Sequence, residues 1–524
     1  MGTTKIALVS VGTLTRGTGR PTSRLHARAW WSDSAATAVV ALTVLAAVLR
    51  FARIGHQGFW FDEANTALLV HFSPGKMLGL IPKTESTPPL YYCLAWVWAR
   101  IFGYTEGPLR SLSAVAGVLT VPVAFGAGSQ LISRRAGVIA AALTACNPLL
   151  VWYSQEARSY ALLVLLSSLS LLAFAYARNE PTPRALTAWL ISCALALGTH
   201  YYALLVVVPE AAWLLAVHRR ARPVQIAVGI IALCGLALIP LAVSQNGTGH
   251  ASWIAPIPLG LRLRQIIPQF LVGFQAPAQS VLEPLAVAMT IVALVLLATR
   301  ADPVERRGAL LAGGIAISGL VLNLLLIAGG VDDLITRNVI ALWLPAALLI
   351  AGGLGARRAA LLGVAAAAVL CVIGIVAVVG VATNRDSQRP DWRGVARVLG
   401  ARPDGGARAI LVQHYRDLLP LSLYLTGLKF WPTHGSRTVT ELDVVSIKAP
   451  RVALCWWGAA CNLTPSTMQR SYRIRGFQQL WSRQAYQFTI IRMVSSRPTA
   501  ITAREVSRAL RTTTLRRDEL LIQG

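Results

Sequence analysis

The chain has 524 residues, 55% of them hydrophobic and 14% charged, with a mean hydropathy of +0.56. So much apolar surface excludes a water-soluble enzyme and points to a polytopic membrane protein. A formal net charge of +27 would suit a nucleic-acid binder, but the arginines sit in short loops, the N-terminal stretch and the C-terminal third. The positive-inside rule accounts for them there without nucleic acid.

The apolar runs are about 17 to 24 residues long, the length of spanning helices and not of the short alternating strands of a closed barrel. Residues 1–34 carry Arg16, Arg20, Arg24 and Arg28 with no apolar core beside a cleavage site, so they read as a cytoplasmic tail and not as a cleaved signal. The first span, about 35–53, then delivers the stretch from Gly55 to Asn65 to the outer face. Two adjacent carboxylates, Asp62 and Glu63, follow the Phe59-Trp60-Phe61 triplet there, and ionisable groups at a membrane boundary are functional suspects. Asn65 to Ile81 has helix-like apolar spacing broken at Pro74-Gly75, as in a pair of interfacial helices.

The run from Pro88 to Ala99 is the ambiguous one. If it spans, the pairs Arg134-Arg135, Arg219-Arg220, Arg306-Arg307 and Arg357-Arg358 fall outside; if it lies in the interface, all fall inside. Its short length and its Trp and Tyr content favour the interface. Further spans are expected near 109–131, 136–153, 160–177, 186–200, 202–217, 224–243, 281–299, 308–328, 338–355 and 359–382, about eleven with the first. The expected fold is therefore an all-α polytopic membrane bundle, residues 35–382, with interfacial helices and a small exoplasmic α/β domain at 383–494.

In that outer domain Pro390 to Arg393 reads as a helix start, and 409–413, 451–457 and 484–494 read as strands. Residues 495–524 are polar and Arg-rich and read as a poorly ordered tail. Cys93, Cys146, Cys193, Cys234 and Cys371 lie in apolar stretches as small buried hydrophobes. Cys455 and Cys461 either close a small disulfide loop, which requires an oxidising compartment, or stand as two free thiols. The sequons Asn246-Gly247-Thr248 and Asn462-Leu463-Thr464 carry no argument without a glycosylating host.

On this topology the residues a membrane protein usually avoids pool on one face: Asp62, Glu63, Glu85, Arg110, Glu156, Arg158, His200, Asp332, Asp333 and Arg337. A lipid-linked glycan flippase or transporter, the main alternative, would carry some of them near the bilayer midplane. A catalytically inactive scaffold of the same fold is the other alternative.

Four motifs together resemble the C-type polyprenyl-phosphate-dependent glycosyltransferases, in particular the bacterial relatives of protein O-mannosyltransferases and lipid A aminoarabinose transferases. They are the Asp62-Glu63 pair, Pro88-Pro89-Leu90-Tyr91-Tyr92, the run from Gly107 to Ala114, and Tyr153-Ser154-Gln155-Glu156-Ala157-Arg158-Ser159-Tyr160. The resemblance covers roughly residues 35 to 355 and implies inverting transfer of a sugar from a polyprenyl-phosphate donor to a lipid, glycan or protein acceptor. The expected place is the outer face of a bacterial plasma membrane, among membrane lipid and without nucleic acid.

It also implies roles. Asp62 would be the general base for an acceptor hydroxyl, a poor nucleophile until its proton is taken. Glu63 would orient Asp62 or cap the next helix, and Glu156 would be a second acid facing the cavity or the partner of Arg158. Arg110, Arg158 and Arg337 are the candidate cations for the departing phosphate, against a snorkelling alternative. Trp60, Tyr91 and Tyr92 would stack on sugar, line the lipid groove or anchor in the interface. Glu85 and His200 are the metal-ligand types on the right side; no cofactor is required, and a divalent metal is possible because some relatives use one.

The parity argument is directly testable. Reporter fusions should place Arg134-Arg135 in the cytoplasm and residues 400–490 outside, and a periplasmic signal at Arg134 would overturn it.

Overall fold

The computed structural model describes residues 33–404, 406–412, 418–432, 435–447, 472–485, 487–509 and 520–524. The chain begins with α1 (Asp33–Phe51), followed by two short helices, α2 (Phe61–Leu69) and α3 (Pro74–Thr84). Pro74 takes the first turn of α3, where its missing N–H costs nothing, so the Pro-Gly break expected there separates two helices.

Helix α4 (Leu90–Phe102) has 13 residues, about 20 Å at 1.5 Å per residue and too short for a hydrocarbon core of about 30 Å. It also begins and ends on one side. Glu85, just before it, bonds to Arg158, while Glu106, just after it, bonds to Tyr424 and Arg393 of the outer domain.

The bundle continues with α5 (Glu106–Leu131), α6 (Arg134–Cys146), α7 (Pro148–Ser154), α8 (Tyr160–Ala177), α9 (Pro183–Thr199), α10 (Leu204–Val217) and α11 (Arg222–Asn246). Then come α12 (Leu259–Val272), α13 (Gln279–Thr299), α14 (Pro303–Ala328), α15 (Trp343–Leu354) and α16 (Ala360–Thr383). Among the described residues seven helices are long and apolar enough to cross a membrane, or eight if the bent pair α6 and α7 is one span. The remaining expected spans form shorter helices: α9 has 17 residues, and α10 and α15 are each extended by one 3-10 turn. Helix α12 sits inside the segment that the sequence presents as one long loop.

The basic turns are tied to one another at the end of the bundle away from Glu85 and Glu106. Arg135 donates to the carbonyl of Arg357, His218 meets that of Arg178, and the Arg357 N–H donates to Glu305.

Helices α6 and α7 meet at 56°. Asn147 and Pro148 make the break: Pro148 supplies no N–H to the preceding turn, and the Asn147 side chain caps Leu150 N at 3.0 Å. The carbonyls that lose their helical donors are taken by Arg50 of α1, fully buried, at 2.9 Å from Thr144 O and 3.0 Å from Ala145 O.

Beyond α16, α17 (Trp392–Leu399) starts at the expected place, with Asp391 capping Gly394 N at 2.9 Å. The outer domain is one six-stranded sheet in the order β2-β6-β1-β3-β5-β4. The strands are β1 (Arg408–Leu411), β2 (Leu428–Phe430), β3 (Arg437–Ile447), β4 (Gln478–Ala485), β5 (Phe488–Ile501) and β6 (Leu520–Gln523). Only β1 and β3 run parallel among these pairs; the rest are antiparallel.

Two expectations are corrected. The run 484–494 is not one strand: β4 ends at Ala485, the chain turns, and β5 pairs back on it with Ala485 opposite Phe488. Nor is all of 495–524 an unordered tail. Residues 495–501 continue β5, Ala503–Ala509 is a helix, and β6 lies between β1 and β2. The reason is local, since Leu520-Leu521-Ile522 is an apolar strand segment hidden behind the polar run that precedes it, and Leu520 and Leu521 are fully buried. The expected strand 451–457, Cys455, Cys461 and the sequon at Asn462 lie outside the described residues.

Because β6 bridges β1 and β2, a chain ending at Glu519 should lose the outer domain's integrity. Limited proteolysis should cut that domain much faster while helical circular dichroism is largely kept; an unchanged digestion pattern would show the strand to be dispensable.

Candidate functional site

The site is built on the connection from α1 to α2 and on one buried arginine. Arg110, on the first turns of α5, is 1% exposed and donates Nε and Nη2 to the two oxygens of Glu63 at 2.7 and 2.6 Å. Its remaining donors hold the incoming backbone, at 2.9 Å from Ile54 O, 2.7 Å from Gln57 O and 2.9 Å from Gly58 O. Glu63 also accepts the Ala157 N–H at 2.8 Å. Burial alone would push this carboxyl up, but Arg110 and the Ala157 amide outweigh it and hold it below its ordinary value. Both side chains are therefore fully occupied within the protein.

Asp62, one residue earlier, faces the other way. Its Oδ2 meets Arg337 Nη1 at 2.7 Å, with 15% and 19% of the two side chains exposed. Arg337 sits between the rings of Tyr160 and Trp253, 5.8 and 5.7 Å from their centroids. The pair borders a cavity of about 240 Å³ whose wall also includes Glu85, Arg158, His200 and Asp333.

Glu85 is held by three donors: Tyr92 Oη at 2.6 Å, Arg158 Nη1 at 2.7 Å and Asn65 Nδ2 at 2.7 Å. Burial nevertheless leaves its carboxyl above the ordinary value. His200 caps the turn after α9, its Nδ1 accepting the Tyr202 N–H at 3.3 Å. Burial and the charges of Arg158 and Arg337 push its pKa down to about 3, so it is neutral across the physiological range. Glu85 and His200, the two metal-ligand types expected here, both line the cavity. Among the described residues no group of three His, Cys, Asp or Glu side chains could hold an ion, and Glu85 accepts three hydrogen bonds, two on Oε2 and one on Oε1.

Glu156 is aimed by the bend between α6 and α7, which ends just before it. It is fully buried and pairs not with Arg158 but with Arg389, at 3.3 Å, from the segment following α16. Burial raises its carboxyl to about 7 despite that arginine.

Thus Asp62, Glu85, Arg158, His200 and Arg337 share the cavity wall, whereas Glu63, Arg110 and Glu156 lie behind it. Tyr92 reaches the wall through Glu85, Tyr91 bonds to Ser113 at 2.9 Å, and Trp60 takes the N-cap position of α2 outside the lining. The sequence reading missed Arg389, Trp253 and Tyr160. Arg389 carries no local signal, being distant in sequence from every group it meets; the aromatic types of the other two were the only hint.

Residues 86–244 match the family model described as dolichyl-phosphate-mannose-protein mannosyltransferase. Two solved structures of ArnT from Cupriavidus metallidurans are similar along nearly their whole length. The one bound to undecaprenyl phosphate has 13% identity and a TM-score of 0.50 over 87% of this chain and 97% of that one. The apo form has 12% identity and a TM-score of 0.52 over 88% and 98%. The chain has the fold of these ArnT structures. The family resemblance read from the four motifs is borne out, and the motifs from Pro88 to Tyr160 fall inside the matched region. No curated protein matches in sequence. Within this fold the Asp62-Glu63 stretch lies ahead of the matched residues and is tied to them by the Glu63 to Arg110 fork.

Arg110→Met should leave Glu63 buried without its cation and cost about 3–5 kcal/mol. Asp62→Asn, at a partly exposed pair, should cost far less. Thermal unfolding of both variants in detergent checks this, and equal shifts would contradict the division.

Proposed function

We propose that this chain is an inverting glycosyltransferase working on the outer face of a bacterial plasma membrane, moving one sugar from a polyprenyl-phosphate donor to a cell-envelope acceptor. The observation that carries the reading is the Asp62 to Arg337 pair: it borders the cavity and is more exposed than the pairs of Glu63, Glu85 and Glu156. The likeness to ArnT bound to undecaprenyl phosphate, together with the mannosyltransferase match, supports a lipid-phosphate donor.

In this reading the donor's phosphate competes with Asp62 for Arg337. As the phosphate takes the guanidinium, Asp62 is released as a free carboxylate beside the acceptor. The acceptor oxygen then attacks the anomeric carbon and gives its proton to Asp62. The bond from that carbon to the phosphate oxygen breaks with its electron pair on the phosphate, and Arg337 meets the growing negative charge. A single displacement inverts the anomeric centre. Glu63 and Arg110 keep the backbone of the Asp62 turn in place, and Arg158 with Glu85 and Tyr92 forms the opposite wall. Neutral His200 offers a hydrogen-bonding ring without adding charge.

Asp62→Asn keeps shape but not basicity, so turnover with radiolabelled polyprenyl-phosphate sugars should fall by roughly 10²- to 10⁴-fold while donor binding persists. Arg337→Ala should weaken donor affinity as well as turnover, since its partner is charged in both ground and transition states. Near-normal turnover in folded Asp62→Asn protein would eliminate Asp62 as the base.

A further inference from the structure

Four of the carboxylates in and behind the cavity wall, Asp62, Glu63, Glu85 and Glu156, each have one arginine within salt-bridge distance. Arg337, Arg110 and Arg158 belong to the membrane bundle. The fourth cation does not. Arg389 enters from beyond α16, in the stretch that leads into the outer domain.

Its placement is fixed from both sides. Nη2 donates to Trp152 O at 3.0 Å, the guanidinium lies 4.0 Å from the Trp152 ring centroid, and its backbone N–H donates to Gln57 Oε1 at 3.1 Å. On the outer-domain side Gln487 Nε2 holds the carbonyls of Arg385 and Gln388 at 2.8 and 3.2 Å. Neighbouring contacts seat the same domain on the Asp62 loop: Arg393 donates to the carbonyls of Gly55 and His56, and the Tyr424 hydroxyl accepts the Phe59 N–H at 2.7 Å and donates to Glu106 at 2.7 Å. Gly58 allows this approach, since a Cβ there would stand 2.9 Å from the Arg393 Cβ.

We propose that Arg389 is a positioning residue of the transfer site: it favours the ionised form of Glu156 behind the Asp62 to Arg337 pair, so the outer domain supplies a charge the bundle itself lacks. The inference rests on the roles given above to Asp62 and Arg337. Glu156 is poorly compensated, because Oε2 has only the 3.3 Å contact with Arg389 beside it and Oε1 has no hydrogen-bond partner among the described residues. The charged and titratable groups facing it are Asp62 and Glu63 from α2, Tyr91 from α4, Tyr153 from α7, Tyr160 from α8, and Arg337 and Arg389. Of these, the two arginines favour the carboxylate, while burial and the two acids favour the proton. Burial lifts the group to about 7 even with Arg389 in place, so Glu156 is partly ionised at neutral pH; removing Arg389 moves it further up and leaves it mostly protonated there. A neutral Glu156 withdraws one negative charge from the surroundings of Arg337. The Asp62 to Arg337 pair then tightens, and the donor's phosphate must displace Asp62 at greater cost.

The test is a pH titration of the protonated-carboxyl infrared band of the full chain in detergent, assigned by its loss in Glu156→Gln. The wild-type midpoint is expected at about 7, and Arg389→Met should raise it by roughly one pH unit or more. The acidic limb of turnover against pH should move by the same amount, with turnover at high pH preserved. Arg389→Lys, whose shorter side chain keeps a cation, should shift both in the same direction by less, and it decides the matter if Arg389→Met does not fold. An unchanged midpoint in Arg389→Lys and any recovered Arg389→Met overturns the proposal, as does a shifted midpoint with an unshifted turnover profile. The infrared arm needs neither donor nor acceptor. An active Asp62→Asn protein would therefore remove the proposed chemistry while leaving the control of Glu156 by Arg389 measured on its own.

Discussion

The site depends on the fork between Arg110 and Glu63. A carboxylate buried in the wall of a membrane bundle is costly unless it is paired and its lone pairs are filled, and here two guanidinium donors and a backbone amide fill them. The same guanidinium collects the carbonyls of Ile54, Gln57 and Gly58, so one buried cation ties α5, the α1 to α2 connection and the turn before α8 together. Asp62 inherits its position from that knot. Adjacent residues on a helix point about 100° apart, so anchoring Glu63 inward leaves Asp62 facing the cavity.

The four ion pairs differ by burial more than by distance. Arg110 with Glu63, behind the wall, and Arg158 with Glu85, in it, have at least one fully or nearly fully hidden partner and several added hydrogen bonds, which makes them fixed. The Asp62 to Arg337 pair is as short as these at 2.7 Å but lies open to the cavity, where an incoming anion can compete for the guanidinium. In the proposed mechanism, exchangeability and not proximity separates a working charge from a structural one.

The sequence showed this division only in part. The adjacent acids, the tyrosine-rich run and the Glu156 to Arg158 motif were legible because each is local, and loop charge favoured an interfacial α4, whose 13 residues are short for a span. The break at Asn147-Pro148 was not read: the sequence was taken as one span over 136–153, whereas the chain bends there by 56°. What stayed hidden is long-range. Nothing near Glu156 says that its partner is Arg389, 233 positions away, and a motif that places Arg158 two residues on invites the wrong pairing. Arg110 looked like a cation for phosphate because its five donors are invisible as spent until the fold is known. The polar run before Leu520 likewise concealed a strand that the sheet needs between β1 and β2.

These long-range contacts change what the outer domain is. A domain appended to a bundle could be tethered by α16 alone, yet Arg389, Arg393 and Tyr424 all reach back to the connection that carries Asp62 or to the acids behind it. The tyrosine hydroxyl is the clearest case, because it satisfies a backbone N–H on one side of the loop and the Glu106 carboxylate at the start of α5 on the other. Losing it would leave the Phe59 N–H without its partner and Glu106 with only Arg393, a penalty of about 1–3 kcal/mol where water cannot reach the amide. The geometry of the Asp62 turn is thus set by contributions from both domains, and motion of the outer domain relative to the bundle would be felt first at the residue that faces the cavity.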